Sequence, residues 1–155
     1  MSAALQFHPR RKAPFHRLPF VGQQADGTPY FWNVPLTGGY YGGPPTGGEL
    51  AALRLIHLRQ HRRDQFTTGQ LGQVATAWLD AARTASPEQY SALRGQVLGF
   101  MAMLSPWLIA AEHNGRNLDS ADRHALLRKA NQWLAFDDST LFADQHELTA
   151  PPREG

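Results

Sequence analysis

The chain has 155 residues, of which 42% are hydrophobic and 18% charged, and a formal net charge of +2. That length suits one domain with a sizeable core, and the composition is that of a folded protein rather than a disordered one. The absence of cysteine excludes disulfides, thiolate metal sites, Fe–S clusters and cysteine nucleophiles together.

The small net charge hides an asymmetry. Residues 1–63 carry eight Lys and Arg against two Asp and Glu, a net of +6, whereas residues 64–155 carry seven against eleven, a net of −4. A basic front on an acidic back points either to a face for an anionic partner or to two halves that complement each other within one fold.

Residues 1–19 read as an extended basic arm. Pro9, Pro14 and Pro19 oppose a long helix, and Arg10, Arg11, Lys12 and Arg17 carry positive charge with no acid before Asp26. The start lacks an apolar run, so no secretory signal is read there and a cytoplasmic protein is expected. A hairpin follows, turning at Asp26-Gly27, with Tyr30, Phe31, Trp32 and Val34 favouring a strand. The prolines at 19 and 29 confine these strands to edges or strand starts. Thr37 to Glu49, with three Gly-Gly pairs, reads as an irregular loop.

Helical signals dominate from there. Thr46-x-x-Glu49 reads as a capping box opening a helix over 47–64, and Thr67-x-x-Gln70 as another opening one over 68–84. Ser86-Pro87-Glu88-Gln89 opens a third, which Asn114-Gly115 ends. Asp119 or Ser120 opens a fourth, to about Leu134, and Asp138 caps a short last helix through about Glu147. The run Val97–Ala111 is uncharged. It is shorter than the roughly twenty residues a membrane span needs, so the spacing predicts a buried central helix kinked at Pro106 and no membrane partner. The expected fold is therefore mainly α: a bundle of four to five helices with an N-terminal aromatic β-hairpin and a Gly-rich loop. Its organisation is an arm at 1–19, a single globular domain at 20–148 and a disordered tail at 149–155. Within that domain, 20–46 form the hairpin and loop and 47–148 are helical.

Phosphate contact is the chemistry best served by these residues. The arm residues Arg10, Arg11, Lys12 and Arg17 form one basic cluster, and Arg54, Arg59, Arg62 and Arg63 form a second near the end of the first helix. Arg54, His57 and His61 share one helical stripe. His57-x-x-x-His61 has metal-ligand spacing, but no third ligand is identifiable, so neither a metal nor any other cofactor is expected. Tyr40 and Tyr41, between glycine pairs, suit an adaptable recognition loop. The loop lacks a phosphate-cradle motif, and Glu49 would put a carboxylate where a phosphate should sit. Glu112, His113, Asp119, Asp122 and His124 gather around one connection, but capping and solvation account for them, and no catalytic residue is assigned.

Phe15-His-Arg-Leu-Pro-Phe, Tyr30-Phe-Trp-Asn-Val-Pro, Thr37-Gly-Gly-Tyr-Tyr-Gly-Gly and the Leu-His-Leu-Arg of the first helix resemble uncharacterised accessory proteins of bacterial integrative and conjugative elements, over roughly residues 15–63. The resemblance implies a bacterial cytoplasm and a setting of DNA transfer, element regulation and host defence. The expectation is a non-enzymatic DNA-associated accessory or regulatory protein, with DNA or RNA as partner. The alternative is a protein-binding inhibitor or adaptor acting on a host or element-encoded protein.

Overall fold

The computed structural model describes residues 5–7, 14–61, 69–114 and 123–136. The chain divides into two compact units, Met1–His113 and Asn114–Gly155. The first contains a 3₁₀ turn at Pro14–Arg17, strands β1 (Gly22–Gln23) and β2 (Pro29–Tyr30), and helices α1 (Gly39–Gln60), α2 (Gln70–Thr84) and α3 (Pro87–Asn114), the last reaching one residue past the boundary. The second contains α4 (Arg123–Leu134). The molecule is mainly helical with one small antiparallel hairpin.

The hairpin pairs Gly22 with Tyr30 and Gln23 with Pro29. Gly27 takes the positive φ of 87° that the turn requires. The Asp26 carboxylate accepts bonds from the Thr28 amide (3.0 Å) and hydroxyl (2.6 Å). Those bonds hold its pKa below the ordinary carboxylate value. The segment before it is not a free arm throughout. Phe15 and Leu18 are buried, so residues from the 3₁₀ turn onward belong to the folded body.

Two rings from the N-terminal segment, Phe20 and Trp32, enter the core beside Trp78 of α2 and Phe100 of α3. Trp32, Trp78 and Phe100 meet edge to face, with centroids 5.3–5.5 Å apart. Each such pair contributes about 1 kcal/mol beyond burial. The Gln96 side chain enters this apolar layer. Gln96 accepts a bond from Trp32 Nε1 (3.1 Å) and donates one to the Pro35 carbonyl (2.9 Å).

The glycine-rich segment departs from expectation. It is helical: α1 starts at Gly39, after Gly38 at φ 86°, and runs through Pro44 and Pro45. Thr46 is therefore mid-helix rather than a cap, and its hydroxyl donates to the Gly42 carbonyl (2.9 Å). The physical reason lies in α3. Gly43 and Gly47 face Gly95 and Gly99, and a Cβ at Gly43 would stand 2.5 Å from the Gln96 amide, with those at the other three closer still to opposing backbone. Small residues four apart on both helices let the backbones touch. Tertiary packing thus overrides the low helix propensity of Gly and Pro.

The Ser86 box forms as expected: Gln89 donates its amide to Ser86 Oγ, and Ser86 donates its own to Gln89 Oε1. α2 begins at Gln70 after Gly69, which makes no side-chain cap. Thr67, the starting residues expected for α4 and the expected helix over 138–147 lie outside the described residues. The buried residues of α3 run from Ala92 to Leu104, and the helix continues through Pro106 with all residues from Ser105 to Asn114 exposed. It is thus not buried along its length as expected. By length and composition α3 is also long and apolar enough to cross a membrane.

Candidate binding site at the end of α1

The last turns of α1 separate two depressions, and Ile56, half exposed, lines both. On one side a cavity of about 320 Å³ lies between α1 and the N-terminal segment. Its polar lining is Arg17, His57, Gln60 and His61. Its apolar lining is Phe7, Leu18, Leu53 and Ile56. The His57 and His61 rings lie one turn apart with centroids at 4.7 Å, which helical geometry dictates for residues i and i+4. His57 is buried, whereas Arg17 and His61 are half-buried.

On the other side an apolar groove of about 600 Å³ runs between α1 and α3, lined by Ala52, Leu55, Ile56, Met103 and Trp107, with Arg59 the one charged residue among the described lining residues. The glycine contact explains where this groove opens. The helices touch through Gly43, Gly47, Gly95 and Gly99, and beyond that contact bulky side chains replace glycine. At the end of the groove and beyond it, Trp107, Leu108 and Ile109 are each about 60% exposed. Consecutive helical residues point to different sides, so this part of α3 is apolar all round.

The residues expected to hold phosphate are dispersed by the fold. Arg17 lines the cavity and Arg59 is exposed at the groove. Arg54 is corrected out of the outer surface: it is 2% exposed and donates to Gln70 Oε1 of α2. Burial lowers its pKa from the usual guanidinium value. The stripe Arg54–His57–His61 is real, but it faces inward because α1 packs that side on the body. Arg10, Arg11, Lys12, Arg62 and Arg63 lie outside the described residues.

Tyr40 and Tyr41 stand on the first turn of α1 rather than on an adaptable loop. Tyr41 is 90% exposed, while Tyr40 has the Arg94 guanidinium 6.0 Å from its ring centre, a cation–π distance. Glu112, His113 and His124 are exposed, and Asp119 and Asp122 lie outside the described residues. No cluster of three metal-ligating side chains occurs among the described residues.

Sequence reasoning missed Gln60, Met103 and Trp107. Their role depends on which helix faces which, and no spacing along the chain encodes that. The exposed apolar end of α3 left one signal, the continuous uncharged run, which was read as core. No protein-family model, no curated protein and no solved structure matches this chain.

Proposed function

We propose that this is a non-enzymatic, DNA-associated accessory protein of a bacterial mobile element, gripping phosphate with its basic N-terminal segment and the basic end of α1. One observation carries the reading: Arg17 and the His57–His61 turn line the same cavity. Arg17 of the N-terminal segment thus lies by the last turns of α1, where Arg59 is exposed and which Arg62 and Arg63 follow in sequence. Basic side chains from separate segments along one helix end suit an extended polyanion, whose binding is dominated by phosphate contacts and counterion release.

The test is fluorescence anisotropy of labelled single- and double-stranded DNA, with an RNA arm, at two salt concentrations. Wild type is compared with Arg10/Arg11/Lys12→Ala and Arg59/Arg62/Arg63→Ala. The expected result is salt-sensitive binding that weakens in both triple variants, each phosphate contact contributing about 0.9 to the logarithmic salt slope on duplex DNA. Absence of binding at low salt overturns the reading.

A second reading, an adaptor that docks a protein partner, has its own support in the exposed apolar end of α3. Contiguous exposed apolar surface marks interaction sites, and Met103, Trp107, Leu108 and Ile109 supply it.

A further inference from the structure

We propose that the outer side of α3 packs antiparallel on the same side of a second copy of this chain, giving a two-fold symmetric dimer. The inference is carried by Arg94, Leu98, Met101, Ser105, Leu108 and Glu112, all exposed on α3. Their spacing alternates between four and three residues, the seam of a helix that packs along another helix. The core side of α3 is a different one, marked by the buried Leu93, Gln96, Phe100 and Leu104. Met103 and Trp107 line the groove toward α1. The seam is therefore a separate side, on which Leu98, Met101 and Leu108 stand about half exposed.

The order of residues along the seam selects a second copy as the partner. A cation stands at one end, an anion at the other, and no charge between them. Reversed against itself, the seam sets Arg94 opposite Glu112 of the second copy, Leu98 opposite Leu108, and Met101 opposite Ser105. Two-fold symmetry repeats each pair. A parallel pairing would instead set Arg94 on Arg94 and Glu112 on Glu112, both repulsive. The Ser105 hydroxyl already donates to the Met101 carbonyl (3.0 Å), so covering it leaves no donor without an acceptor. Arg94 lies 6.0 Å from the Tyr40 ring centre. That contact uses the face of the guanidinium, and the N–H groups at its edge suit a carboxylate.

A bilayer fits the seam less well, because anionic headgroups that attract Arg94 repel Glu112, and either charge is costly to bury in lipid without its counterpart. The seam spans about 27 Å at the rise of an α-helix. A contact of that length lies at the small end of protein interfaces, so micromolar association is expected. None of the six residues belongs to the proposed phosphate contacts, so this inference and the DNA reading stand or fall separately.

Sedimentation velocity of the full chain from about 5 to about 200 µM brackets that range. Wild type is expected to pass from monomer to dimer. Leu98→Lys is expected to weaken association about tenfold or more. Arg94→Glu and Glu112→Arg are each expected to weaken it about tenfold or more, since each sets two like-charge pairs across the symmetric contact. Two combinations are expected to restore it: the double variant Arg94→Glu/Glu112→Arg, and an equimolar mixture of the two single variants, which are complementary only to each other. Circular dichroism confirms folding. Should Arg94→Glu unfold through loss of the Tyr40 contact, Glu112→Arg and Leu98→Lys carry the comparison. A monomer at every concentration overturns the proposal, and flotation of that monomer with phosphatidylcholine–phosphatidylserine vesicles assigns the seam to lipid instead. A dimer left unchanged by Leu98→Lys and by the folded charge reversals overturns it too, as does failure of both combinations of folded variants to restore association.

Discussion

Gly47 of α1 lies so close to the Gln96 carbonyl of α3 that no side chain fits at position 47. This contact lets two Pro- and Gly-interrupted backbones pack as helices, and it sets where the groove beyond it begins. Gly47→Ala is therefore expected to destabilise the protein by about 3 kcal/mol, the upper range for overpacking. Gly72→Ala in α2 is the control. A Cβ there meets nothing within 4 Å, so the change is expected to stabilise by about 0.5–1 kcal/mol. Urea unfolding of both variants checks the pair. Equal stabilities would show that the helices are not in backbone contact.

Gln96 is the polar tie through the aromatic core. Gln96→Leu leaves the Trp32 indole N–H and the Pro35 carbonyl without this partner. An unsatisfied buried group costs about 1–3 kcal/mol, so a loss of about 2 kcal/mol or more is expected. Denaturant unfolding followed by tryptophan fluorescence measures it, and an unchanged midpoint would show that the tie contributes nothing.

Arg54 tests the separation of buried from exposed arginines. Arg54→Ala is expected to cost about 3 kcal/mol or more, because it removes a packed side chain and the bond to Gln70. Arg59→Ala, at an exposed position, is expected to change stability by less than about 0.5 kcal/mol. It is expected to weaken DNA binding and to lower the salt slope by about 1. Thermal unfolding and anisotropy on the same preparations read both effects. A stable Arg54→Ala variant would remove Arg54 from the interior.

Tyr30 gives an alkaline signature. Burial raises its phenol above the ordinary value, and the Asp80 carboxylate adds to the rise. The folded state thus holds the proton more tightly than the unfolded one. This contribution is fully present below the unfolded pKa of about 10 and is lost as pH climbs through the raised folded value. Tyr30→Phe is expected to flatten the stability profile above about pH 10, and Asp80→Asn to lessen its slope. Melting temperature against pH from 8 to about 11 gives the profile. A wild-type curve parallel to that of Tyr30→Phe would exclude the effect.

The exposed end of α3 makes a prediction about assembly. Trp107→Lys and Leu108→Lys place charge on an unburied apolar surface, so stability is expected to hold within about 0.5 kcal/mol. Any self-association, partner capture or vesicle binding through this face is expected to fall. Sedimentation velocity and liposome flotation read the first and last of these. Self-association or flotation that persists unchanged in these variants would place the contact elsewhere.

Much of this molecule was decided locally. The Asp26-Gly27 turn, the Ser86 capping box and the start of α3 follow from residues adjacent in sequence, because the atoms that satisfy one another belong to one turn of chain. The sequence by itself also determined that the chain is mainly helical. Tertiary structure decided the rest. Thr37–Glu49 carries every local mark of a loop, yet most of it is helix because Gly95 and Gly99 offer matching backbone on α3. The basic stripe of α1 is legible in the spacing of Arg54, His57 and His61, but spacing assigns a face and not its direction. Packing turned that face inward, burying Arg54 and bringing the histidines to Arg17. Similarly, the uncharged run of α3 could not reveal how far its neighbours extend. The helices that cover its first half stop covering it after Leu104, and the remainder stands exposed.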